Sequence, residues 1–150
     1  MHKQGTELAD KVSPEIRSRI MAAIRSKDTK PEMVVRRGLF ARGFRYRLHK
    51  SHMPGKPDLV FPKFGAVVFV HGCFWHGHEG CRLYRPPLSR QDYWNSKIER
   101  NQIRADAAEA KLREQGWRVS IVWECSFRGK APEEQALKLD QLASWLRLGA

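Results

Sequence analysis

The chain has 150 residues, with 28 Lys+Arg against 16 Asp+Glu and a formal net charge of +12. That length allows one domain with a core and leaves no room for two, and a composition 41% hydrophobic and 10% aromatic excludes a disordered tail. No apolar run is longer than the five residues 66–70, which excludes a transmembrane helix, and the first twelve residues lack the apolar stretch of a signal peptide, so the expectation is a soluble, cytoplasmic protein with no membrane partner.

The positive charge is concentrated. Residues 11–47 carry eleven basic side chains against three acidic ones, and residues 82–104 carry six against two. From 105 to the end the count is seven against seven. Such surfaces attract phosphate backbones through counterion release, although charge alone does not separate DNA from RNA or an acidic membrane. Three cysteines, an odd number with no secretion signal, argue against a disulfide framework.

In chain order, residues 1–12 show no periodicity and read as a flexible arm ahead of a single domain over 13–150. Ser13-Pro14 opens a first helix, with Ile16, Ile20, Ala23 and Ile24 as its apolar stripe. Thr29-Lys30-Pro31-Glu32 is a capping box for a second helix, which Gly43 closes. The period then becomes two, with Phe44, Tyr46 and Leu48 on one side and Arg45, Arg47 and His49 on the other, which predicts a half-buried strand. A turn at Pro54-Gly55 leads to a short strand over 58–61, and 66–70, apolar on both faces, is the expected central strand. A long loop over 71–88 is rich in Gly, His, Pro and Cys. A helix capped between Ser89 and Asp92, with Trp94, Ile98, Ala105, Ala108 and Leu112 on one stripe, runs to Gly116. A strand over 117–123 and an amphipathic helix over 132–148 complete the order α-α-β-β-β-α-β-α.

Chemistry concentrates in and around the long loop. Four residues separate Cys73 from His78, two separate His78 from Cys81, and 43 separate Cys81 from Cys125. Zinc takes four such ligands in a tetrahedron, and a closed set of four would be structural; His71 and His76 compete with His78 for the histidine position. Asp58, at a strand start behind Pro57, can hold a divalent cation against a phosphate, and an adjacent strand ending at His71 would bring it near His71 and His76. A histidine such as His76 titrates in the range that suits activation of water. Phe74 and Trp75, flanked by glycines between candidate zinc ligands, are placed either to pad the metal site or to stand out and wedge between base pairs. Trp94 fits either a core or a contact role, whereas Trp117 and Trp123 read as core.

Pro54-Gly55-Lys56-Pro57-Asp58, Val68 through His76 with its HGCFWH core, Gly116-Trp117-Arg118-Val119 and Val122-Trp123-Glu124-Cys125 together resemble the very short patch repair (Vsr) endonucleases, over about residues 13–130. The resemblance implies a restriction-endonuclease-like α-β-β-β-α-β core. It implies nicking of double-stranded DNA beside the thymine of a T:G mismatch left by deamination of 5-methylcytosine. It also implies Mg²⁺ held by Asp58 and the Val70 carbonyl, with His76 as general base and His71 on a phosphate. By the same resemblance Cys73, His78, Cys81 and Cys125 hold structural Zn²⁺. Phe74, Trp75 and Trp94 form an intercalating wedge, Met21 enters from the minor-groove side, and Glu32 is a carboxylate near the active site. Mismatch-repair proteins as partners, a monomeric state and association with the nucleoid are further expectations. Val70 stands where the family often has threonine, a change that a backbone ligand tolerates. The alternatives are a related restriction or defence nuclease without mismatch preference, and a zinc-stabilised DNA-binding module without catalysis.

Overall fold

The computed structural model describes residues 29–85 and 88–149. The arm at 1–12, the helix expected from Ser13-Pro14 and Met21 lie outside these residues.

Helix α1 spans Lys30–Ala41. Thr29 caps it, its hydroxyl accepting the Glu32 N–H at 3.3 Å, and Pro31 occupies the first turn. Only half of the expected capping box is used, because the Glu32 carboxylate is buried and bonds His49. At the other end Gly43, at φ +89°, donates to the Phe40 carbonyl while Phe44 donates to Leu39, so the glycine closes the helix in a Schellman turn.

Strands β1 (Arg47–Leu48), β2 (Leu59–Phe61), β3 (Ala66–His71) and β4 (Arg118–Trp123) form one sheet in the order β1-β2-β3-β4. The first three are antiparallel in succession, and β3 pairs with β4 in parallel through helix α2 (Gln91–Glu114). Helix α3 (Pro132–Leu148) follows with the bounds expected. The strand expected over 44–49 keeps only two residues in the ladder, although Phe44 is buried and Arg45 and Arg47 are exposed, as the alternation requires. Helix α2 starts without the expected side-chain cap: Arg90 occupies that position in the left-handed region, with φ 54°.

Helices cover both faces of the sheet. Val35 and Leu39 of α1, and Leu139, Leu142 and Leu146 of α3, pack on Leu59, Phe61, Ala66, Val68 and Val122. Leu112 of α2 packs on Val60, Val67, Phe69 and Val119. Strand β3 is apolar on both faces for this reason. Two arginines tie the layers together. Arg42 of the α1 cap reaches α3 at Asp140 and the Ala136 carbonyl. Arg118 donates to the Trp145 and Leu146 carbonyls at the end of α3 and to Phe64.

Candidate active site and metal centre

The hairpin joining β2 and β3 brings Asp58 to Val70. Leu59 pairs with Val68, so the chain just before β2 lies beside Val70, whose N–H donates to Asp58 Oδ2 at 2.7 Å. A strand residue sends its N–H and C=O out along the same edge. The Val70 carbonyl therefore faces the Asp58 side, where β2 has ended. Burial pushes the Asp58 carboxyl up to about 7, with the Glu32 charge adding to the effect and the Val70 N–H and His49 opposing it.

His49 joins the two carboxylates. Its Nε2 lies 2.9 Å from Glu32 Oε2 and 4.0 Å from Asp58 Oδ1, and its backbone N–H donates to the Asp58 carbonyl at 3.2 Å. Its φ of +44° is in the left-handed region, unusual for a non-glycine residue. Donor atoms of Glu32, His49 and Asp58 all lie within 4.8 Å of one another. The alternation of strand residues placed His49 on the polar side but gave it no role. The pairing of Leu48 with Leu59 brings it opposite Asp58, which a register drawn around the Pro54-Gly55 turn would have revealed.

At the end of β3, His71 and His76 stack face to face, with ring centroids 3.7 Å apart and planes 1° from parallel. Burial lowers the pKa of both, His71 to about 3 with help from its neighbour, so both are neutral at neutral pH. Among the described residues His71 Nδ1 is buried without a hydrogen-bond partner, which leaves Nε2 as the nitrogen that can reach a ligand. Asp58, Val70, His71 and His76, with Lys56, Asn101 and Arg104, line one cleft of about 850 Å³. The loop beyond β3 is held from α2, where Asn101 donates to the Trp75 carbonyl at 3.0 Å and Gln102 to that of His76 at 2.9 Å.

Cys73, His78, Cys81 and Cys125 converge, with donor atoms within 4.8 Å of one another. His78 Nδ1 and Cys125 Sγ are 3.5 Å apart, against about 3.6 Å for tetrahedral zinc with its usual Zn–N and Zn–S lengths. The donor set and its spacing fit zinc. The choice among histidines that spacing left open is made by position: His78 joins the thiols, and His71 and His76 face the other cleft. Trp123 is half-buried rather than core, and its ring stacks on His78 at 4.0 Å, fixing the imidazole plane. Glu124 accepts the Cys73 N–H at 3.3 Å.

Between the two centres, Phe74, Trp75 and Trp94 form one half-exposed cluster, with Phe74 5.5 Å and Trp75 6.0 Å from Trp94. Trp94 therefore leaves the apolar stripe of α2, whose buried members are Ile98, Ala108 and Leu112. Tyr93, at 5.2 Å from Trp94, and Lys97, whose Nζ lies 5.4 Å over the Trp75 ring, extend the cluster, and sequence reasoning passed over both. The helical spacing of 93, 94 and 97 was the available signal.

A family model described as DNA mismatch endonuclease Vsr matches residues 9–82. The type II nicking enzyme V.XorIIP of Xanthomonas oryzae pv. oryzae is 49% identical over 131 residues, covering 87% of this chain and 96% of the relative. The type II nicking enzyme V.NmeAIP of Neisseria meningitidis is 47% identical over 115 residues, 77% of this chain and 81% of its own. The DNA mismatch endonuclease Vsr of Escherichia coli K12 is 37% identical over 139 residues, 93% and 88% of the two chains.

Proposed function

The chain belongs to the Vsr family of DNA mismatch endonucleases, and on that premise we propose that it nicks one strand of double-stranded DNA beside the thymine of a T:G mismatch, with Mg²⁺ as catalytic cation and Zn²⁺ as structural ion. The observation that carries this reading is the cleft in which an oriented Asp58 carboxylate and the stacked His71–His76 pair stand beside a half-exposed aromatic cluster. The succession α1-β1-β2-β3-α2-β4 supports a restriction-endonuclease-like core.

Asp58 and the Val70 carbonyl offer the hard oxygen donors that suit Mg²⁺, with Glu32 a second carboxylate beside them. Bound there, the cation would polarise the scissile phosphate and stabilise the charge developing on it. The Val70 N–H fixes the Asp58 carboxylate in one orientation, and His49 lies within reach of both it and Glu32. His76, held neutral by burial, takes the proton of the attacking water. His71, also neutral, presents Nε2 to a phosphate oxygen as an uncharged donor. Phe74, Trp75 and Trp94 wedge into the stack beside the mismatch. A T:G pair is easier to unstack than a Watson–Crick pair, so the wedge costs least there. Cys73, His78, Cys81 and Cys125 hold Zn²⁺, which fixes the loop that presents the wedge and His76.

Strand-labelled duplexes that differ only in T:G against C:G, incubated with Mg²⁺ or EDTA, test the reading. The expected result is Mg²⁺-dependent cleavage of the thymine strand in the T:G duplex alone. Equal cleavage of both duplexes would place the protein among nucleases without mismatch preference. Absence of cleavage across a panel of flanking sequences would leave a binding module.

A further inference from the structure

A second cleft, of about 440 Å³, is lined by Phe74, Arg82, Leu83, Arg85 and Arg128. It shares no lining residue with the Asp58 cleft. We propose that this arginine-lined cleft is a second, non-catalytic site that grips phosphates of the DNA backbone beside the aromatic wedge. The proposal rests on the DNA-cleaving function put forward above and extends it to a surface that the chemistry of cleavage does not use.

The cleft is built from two segments that the metal-ligand cluster brings together. Arg82 follows Cys81 directly, and Arg128 lies three residues after Cys125. The two ligands sit in the same cluster, so their arginine-bearing neighbours meet. Arg82 seals the join by donating to the Arg128 carbonyl. The Leu83 N–H to Cys81 Sγ bond, at 3.3 Å, and the Tyr84 N–H to Cys81 carbonyl bond, at 3.1 Å, hold the turn that carries Arg85. The segment is therefore pre-arranged rather than assembled around a ligand.

Its charge is unbalanced. Three guanidiniums face one carboxylate, since Arg128 Nη1 pairs with Glu124 Oε2 at 3.1 Å, while Arg85 makes no hydrogen bond or ion pair among the described residues. Planar guanidinium forks match phosphate oxygens. The ligand is a DNA phosphate because Phe74, a member of the aromatic cluster, forms one wall. A duplex engaged by that cluster passes the mouth of this cleft. The Asp58 cleft opens two residues further along the same loop, at His76, so the clamp grips the backbone at phosphates other than the one the catalytic groups face.

Fluorescence anisotropy with a labelled duplex, without divalent cation and over a series of KCl concentrations, tests this directly. Arg85→Gln removes one cation from an exposed side chain without altering a folded contact. It should lower the slope of log Kd against log[KCl] by about 0.9 and weaken binding about fivefold near 0.15 M salt, equally for mismatched and fully paired duplexes. Arg85→Lys should keep most of the slope, and Arg85→Glu should lose more than the glutamine variant. Melting curves matching wild type exclude a folding defect as the cause. An unchanged slope and Kd in Arg85→Gln and Arg85→Glu, or a loss confined to the mismatched duplex, would overturn the clamp. Wild-type protein that fails to bind any duplex would overturn the underlying function and the clamp with it.

Discussion

Asp58 is the residue on which function and stability pull in opposite directions. Its carboxyl is buried next to Glu32, and its pKa of about 7 in the fold compares with about 3.8 for an exposed aspartate. The sign follows from linkage. Between those two values the unfolded chain has released its proton while the folded chain keeps it, so folding stability falls as pH rises from about 4 to about 7 and is flat above. Asp58→Asn keeps an acceptor for the Val70 N–H and removes the ionisation. In EDTA the asparagine variant should melt above wild type, by a margin that grows from pH 4 to pH 7 and then levels off, while Mg²⁺-dependent nicking is lost. Thermal melts across that range check it. A margin that does not change with pH would mean that the buried carboxylate is not the strained group, and retained nicking would remove Asp58 from the mechanism.

At the scale of elements, the loop after β3 works because α2 backs it. Gly77 sits between His76 and His78 at φ +57°, and a Cβ there would lie 2.7 Å from both Ile98 Cγ2 and Gln102 Nε2. Gly77→Ala therefore meets a backbone penalty of about 1–2 kcal/mol and a clash that displaces the Gln102 anchor of His76. The expected result is a loss of about 2–4 kcal/mol in urea denaturation, with weakened nicking. Adding Ile98→Ala should return part of that loss, so that the double variant is less destabilised than the sum of the singles. Strict additivity would show that the clash does not contribute.

The same scale separates what the sequence revealed from what it hid. Thr29, Pro31, Gly43 and Pro132 act within a few residues of themselves, so both ends of α1 and the start of α3 were legible. The convergence of Cys73, His78, Cys81 and Cys125 was legible for a related reason, since three of the four lie within nine residues of sequence. β1 was overdrawn because a ladder lasts only as long as its partner, and β2 has three residues. His49 and Lys97 were missed because their roles depend on the register between β1 and β2 and on how α2 meets the loop, which no local pattern encodes. The helix-stripe pattern took in Trp94 because position 94 shares a face with Ile98, yet the buried stripe begins at Ile98.

For the whole molecule, the charge count overstates the surface available to a phosphate backbone. Arg42 and Arg118 are consumed in holding α3 to the rest of the fold, and Arg36 pairs with Glu32. The arginine cleft is placed by the thiol and imidazole cluster, which joins the end of β4 to the loop after β3 and thereby sets the aromatic cluster, His76 and that cleft relative to one another. The hydrophobic core lies elsewhere, on the two faces of the sheet. Loss of the metal should therefore loosen one end of the molecule while the core persists. Cys125→Ser should lower bound zinc well below one ion per chain and lower Tm by about 10 °C, the shift expected for about 3–5 kcal/mol in a chain of this size. Limited proteolysis should then cut first within residues 72–85, leaving α1 and α3 intact. Elemental analysis and a melting curve on the same sample decide the point: full zinc content with an unchanged Tm would remove Cys125 from the metal centre, and lost zinc with an unchanged Tm would show that the core alone holds the loop in place.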